Sequence, residues 1–158
     1  MVSVRNPLLV TLYSRIVDKV LATTESIEEA NDELREVGRS ISTNLYLNSE
    51  IAQNTKETIQ TREDVSKLVE VVFRELYDRK PDDIDMDTAR GSVRITDEEC
   101  VWCQDVHLEG MRGFGYGEIF SGILEAILEL KGVDAKVFQE MSRATGSDRC
   151  IWNVRLVW

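Results

Sequence analysis

The chain has 158 residues, 42% hydrophobic and 30% charged, a size and balance that fit one domain with a full core. Its formal net charge of −10 argues against nucleic acid as the main partner, because binding a polyanion needs clustered Lys and Arg, and the same field opposes unaided adsorption to an anionic membrane. No stretch reaches the ~20 apolar residues of a transmembrane segment, and the N-terminus lacks the basic start and apolar run of a secretory signal. Three cysteines, an odd number, do not suit a secreted disulfide framework, so the expected home is a reduced cytoplasm.

In chain order, Asn6 is positioned to cap a first helix with Pro7 at its first turn, where a missing N–H costs nothing. Leu8, Leu9, Leu12, Ile16, Val20 and Leu21 form its apolar stripe. Ser26 with Glu29 is a capping-box start for a second helix. That helix carries Ile27, Ala30, Leu34, Val37, Ile41 and Leu45 in alternating three- and four-residue steps, like a short coiled-coil seam. Residues 48–60 are polar and read as a loop. Thr61 with Asp64 then opens a third helix, with Val65, Leu68, Val69, Val72, Phe73 and Leu76 on one face.

After Pro81 the period changes. Val93 and Ile95 alternate with Arg94 and Thr96 as a half-buried strand, and residues 100–106 read as a second strand. Gly110, Gly113, Gly115 and Gly117 precede a helix from Glu118 to Lys131 that is apolar almost all round, its polar groups confined to Glu118, Glu125 and Glu129. A helix of that kind is sandwiched between layers. Gly132 is a natural stop, residues 135–140 read as a strand, and Cys150, Trp152, Val154, Leu156 and Trp158 share one face of a closing strand. The expected fold class is α+β: an antiparallel sheet of about four strands, an N-terminal helical layer and one buried helix, in a single domain over 1–158.

Cys100, Cys103, Cys150 and His107 are all the cysteines and the only histidine, and three thiolates with an imidazole complete a tetrahedral zinc site. Against this, a strand over 100–106 points Cys100 and Cys103 to opposite faces, and buried free cysteine is often plain core. Both readings stand. The glycine cluster invites a dinucleotide reading with Glu140 as the ribose-binding acid, but the third glycine of that fingerprint falls on Phe120 and no run of βαβ units exists. A flexible loop, or close backbone packing against the helix, accounts for the glycines equally well. No nucleophile elbow or paired acid and base stands out, so an enzyme is not expected. The seam from Ile27 to Leu45 serves either packing within the fold or a subunit interface, with Gly38 and Ser42 admitting a close helix.

The pattern as a whole resembles the small core subunits of the transport protein particle (TRAPP) tethering complex. The likeness rests on four stretches: Leu34–Leu45, Thr61–Tyr77, Glu118–Glu129 and the closing strand from Cys150. Hydrocarbon-binding (4-vinyl-reductase) domains of the same wider superfamily are similar at residues 137–140 and 146–150. The TRAPP resemblance implies a subunit that pairs with itself or with paralogous subunits through its helical layer, contributes to activating a small GTPase in a vesicle-tethering scaffold, and works in the cytoplasm or peripherally at a membrane. One such subunit carries an acyl chain on a cysteine that falls near residues 49–54, where this chain has none; a tunnel for an acyl or hydrocarbon ligand, lined by Phe120, Ile123, Leu124 and Ile127 between the Glu118 helix and the sheet, remains an implied alternative. The hydrocarbon-binding relatives imply a zinc held by cysteines and a glutamate. Cys103, Glu140 and Cys150 match that set, the middle cysteine falls near Arg143, and His107 is the available substitute. The acidity and apolar termini imply an archaeal relative.

Overall fold

Residues 7–103 and 105–157 are described by the computed structural model; Asn6, expected to cap the first helix, and Trp158, expected on the closing strand, lie outside them. Helix α1 spans Pro7–Thr23 and buries only Val17 and Val20. Helix α2 spans Ile27–Asn48, and the Ser26 hydroxyl accepts the Glu29 N–H at 3.0 Å as its cap. The stretch read as a loop is partly helical: α2 runs to its edge and a short α3, Ile51–Asn54, follows, anchored by the fully buried Ile51. Helix α4, Arg62–Tyr77, starts with a reciprocal capping box between Thr61 and Asp64.

Strands β1 (Asp83–Asp87), β2 (Ser92–Asp97), β3 (Asp134–Met141) and β4 (Cys150–Val157) form an antiparallel sheet in the order β1-β2-β4-β3. The expected strand over residues 100–106 is not there. Val101–Cys103 is instead a 3-10 turn, and the fourth strand is β1, an Asp-rich segment paired with β2 from Asp83↔Thr96 to Asp87↔Ser92. Aspartate is poor in strands, which hides β1 from propensity, although Ile84 and Met86 alternate correctly.

Helix α5, Glu118–Leu130, buries nine of its 13 residues and lies between the sheet and the helical layer, as its all-round apolarity implies. Phe120 meets Trp152 of β4 edge-to-face at 5.2 Å between ring centres, and Phe73 of α4 at 5.7 Å. Leu124 and Ile127 are fully buried beneath it. On its other side α5 crosses α2 at Gly38 and Gly122. A Cβ on Gly38 would fall on the Ile119 carbonyl, and one on Gly122 on the Arg35 carbonyl. The close helix that Gly38 and Ser42 admit is therefore α5 of the same chain, and Leu34 is core rather than interface.

The glutamate stripe of α5 holds two neighbours at once. Glu118 and Glu125 pair with Arg35 and Arg39 of α2, and Arg39 also reaches Glu129 at 2.5 Å. The same carboxylates accept backbone N–H groups from the sheet edge, Gln139 to Glu118 and Val137 to Glu125 (3.0 Å). Strand β3 is an edge strand, and this use of its N–H groups removes a template for stray pairing.

Candidate functional site

The helical layer carries an open apolar groove. Tyr13 and Ile16 of α1, Val37 of α2, Leu76 and Tyr77 of α4, and Phe120 and Ile123 of α5 form its walls and floor, around 230 Å³. Its rim is unusually exposed for such side chains: Leu9 43%, Leu12 52% and Ile41 43%. Trp102 closes one end and stacks on Tyr13 with ring centres 5.1 Å apart. The Tyr13 hydroxyl donates to the Tyr116 carbonyl, and burial raises its pKa well above the usual phenol range.

The residues expected to line a pocket divide between two places. Phe120 and Ile123 line the groove, whereas Leu124 and Ile127 are sealed in the core. Trp152 packs against Phe120 and Phe73 where α5 meets the sheet, and the cleft between α5 and β3 is polar, so the apolar groove lies on the helical side of α5 and not between α5 and the sheet as expected. Of the expected interface, Val37 and Ile41 line the groove and its rim, Ile27 and Leu45 are half-buried along α2, and Leu34 is inside. From sequence, Leu9 and Leu12 are only part of a wide α1 stripe. That the stripe wraps too far round to be buried on one side was the available signal that some of it stays exposed.

A second cluster lies behind Trp102. After β2 the chain makes a 3-10 turn in which Cys103 N–H donates to the Cys100 carbonyl (3.3 Å) and Val106 N–H to the Cys103 carbonyl (3.1 Å). Asp105 then takes a left-handed conformation, φ 59°, that releases the turn. This knuckle brings Cys100 and Cys103 to one side, where Cys150 opens β4. The three Sγ atoms lie within 4.8 Å of one another, with Cys103 to Cys100 at 2.7 Å and Cys103 to Cys150 at 3.7 Å. All three are free and buried. Thiol groups of Cys100 and Cys103 beside it, together with the Arg143 N–H at 3.4 Å, pull the Cys150 thiol down, while the Cys103 sulfur and burial push Cys100 up.

The ligand set implied by resemblance is not assembled. Glu140 sits on the outer face of the sheet, accepting from Asn153 at 2.9 Å and Arg94 at 3.3 Å, and His107 is exposed. Among the described residues, only the three cysteines group as candidate metal ligands. The position of Glu140 also removes the ribose-binding reading. The glycine loop packs closely instead: Gly117 donates to Gln139 at 2.6 Å and accepts from the Trp152 indole at 3.1 Å, and a side chain there would strike both.

No curated protein matches the chain. Among solved structures it is similar to trafficking protein particle complex subunit 3 from Naegleria fowleri, covalently bound to palmitic acid, with TM-score 0.83 and 18% identity over 96% of this chain and 94% of that one. A family model, transport protein particle (TRAPP) component, matches residues 9–157. With that match running from the first turn of α1 to the end of β4, the chain belongs to the TRAPP component family.

Proposed function

We propose that this TRAPP-type subunit works by assembly, pairing through the α1–α2 face with a second copy of itself. The observation that carries the reading is the exposed apolar rim, Leu9, Leu12 and Ile41, around a groove that fits protruding side chains. Contiguous apolar surface of this kind on a charged chain marks association. A symmetric pair places the same patch of both copies face to face, each filling the groove of the other. In this reading the pair is the unit of a vesicle-tethering scaffold, peripheral to a membrane, on which paralogous subunits and a small GTPase are engaged. It performs no catalysis of its own.

A second reading, favoured by the apolar lining, places an acyl or hydrocarbon chain in the same groove. The palmitic acid of the Naegleria relative is covalent, and this chain has no cysteine between residues 24 and 99 to carry one there. The groove volume of 230 Å³ also falls below the roughly 300–1,000 Å³ of typical ligand pockets. Size therefore favours a partner's side chains over a lipid.

Native mass spectrometry and sedimentation of the full chain test the reading. A dimer is expected at micromolar concentration, converted to monomer by Leu12→Asp with Ile41→Asp. A wild-type monomer that holds an acyl-sized mass increment would replace assembly with ligand binding.

A further inference from the structure

We propose that Cys100, Cys103 and Cys150 form a three-thiolate site for a thiophilic d10 cation, with zinc(II) as the cation to test. Two distant stretches of chain converge to make it: the knuckle after β2 and the first residue of β4. The knuckle is what distinguishes this cluster from three cysteines that happen to be buried. A 3-10 turn closed by Cys103 N–H to Cys100 carbonyl and released by a left-handed Asp105 turns two sulfurs of a C-x-x-C segment toward one point.

The distances suit an ion. Two sulfurs on a tetrahedral zinc with bonds of ~2.3 Å are about 3.8 Å apart. Cys103 and Cys150 stand at 3.7 Å. Cys100 and Cys103, at 2.7 Å, are closer than two uncharged sulfurs pack but well beyond the ~2.05 Å of a disulfide. An ion entering between them would widen that edge by about 1 Å, within reach of small side-chain rotations. Around the sulfurs the protein supplies an outer shell, the Arg143 N–H donating to Cys150 at 3.4 Å from the turn that precedes β4. Loading exchanges the thiol protons for the cation, and those protons leave to solvent. Three thiolates leave one tetrahedral position for water or an added ligand.

The site would also set the groove. Trp102 lies between two of the ligands and stacks on Tyr13 at the groove's end, so an ion at the knuckle fixes the ring that closes the groove.

The test adds zinc(II) to reduced, metal-free full-length protein and follows uptake by native mass spectrometry, with cadmium(II) as a second probe read by its thiolate charge-transfer absorption. One ion per chain is expected, accompanied by a change in tryptophan fluorescence that Trp102→Phe abolishes without changing stoichiometry. Cys100→Ser, Cys103→Ser and Cys150→Ser should each weaken binding by more than the roughly 10–100-fold that an outer-shell change costs. His107→Ala and Glu140→Gln should bind as wild type. Should a cysteine variant fail to fold, the wild-type chain still decides the matter, because a chelator must strip the ion and lower the melting temperature reversibly. No uptake by the reduced wild type, undiminished binding in the cysteine variants, or a Cys100–Cys103 disulfide in place of metal overturns the site.

Discussion

Gly38 and Gly122 let α2 and α5 cross with backbone against backbone, where any Cβ meets a carbonyl group of the other helix. In an open helix Gly→Ala would stabilise by about 1 kcal/mol through propensity. Here the neighbours are main chain and cannot rotate away, so overpacking of about 1–3 kcal/mol or more sets the sign. Gly38→Ala is expected to lower unfolding free energy by about 2 kcal/mol in urea titration; a variant as stable as wild type would mean that the helices do not meet there. At this same scale the cysteines show how far sequence reads. Their number and the lone histidine point to a ligand set, but the period of a strand turns Cys100 and Cys103 to opposite faces. What a strand reading lacks is the 3-10 turn over Val101–Cys103, which a left-handed Asp105 follows just outside the C-x-x-C segment. Glu140 falls on the outer face by the same alternation that buries Ala135, Val137 and Gln139, which keeps it away from the cysteines.

Among the elements, α4 is the one whose start was most legible, because a cap is a local device. Thr61 Oγ1 accepts the Asp64 N–H at 3.1 Å, and Asp64 accepts the N–H groups of Gln60 and Thr61, each at 3.3 Å. Lys56 pairs with the same carboxylate at 3.0 Å and, with these N–H donors, holds its pKa down at about 2. In the unfolded chain that carboxyl titrates near 3.9. A depressed acid contributes stability above its unfolded value and loses it as pH falls toward the folded one. The contribution of Asp64 is therefore complete at neutral pH and disappears between about pH 4 and pH 2. Asp64→Asn should be less stable than wild type at pH 7, with the difference closing by pH 2 in denaturant melts; a gap independent of pH would assign the effect to shape rather than charge. Thr61→Ala should cost about 1 kcal/mol at every pH. By contrast, β1 and the role of the glutamate stripe were not legible. Strand β1 owes its existence to pairing with β2, and the stripe's partners, Arg35, Arg39 and the β3 edge, are brought to it only by tertiary structure.

For the whole molecule, the buried helix is readable from apolar period alone, because α5 must be covered on both sides, and so are β2, β3 and β4, while β1 is not. Which side of α5 keeps the apolar groove is not readable either, since that depends on how Trp152, Phe120 and Phe73 pack where α5 meets the sheet. The groove left on the helical side then meets a global fact, a net charge of −10. Two such chains repel at long range while their apolar rims attract at contact. The attraction is insensitive to moderate salt, whereas the repulsion is screened beyond ~30 Å at 0.01 M and ~10 Å at 0.1 M ionic strength. Self-pairing should therefore tighten as salt is raised from about 0.01 M to about 0.1 M, with the dissociation constant falling in sedimentation equilibrium. A basic partner on the same acidic surface would respond oppositely and be released by salt. Tightening with salt that vanishes with Leu12→Asp and Ile41→Asp places the contact on the apolar rim; loosening with salt would move the interface to charged surface and set aside the groove as the site of pairing.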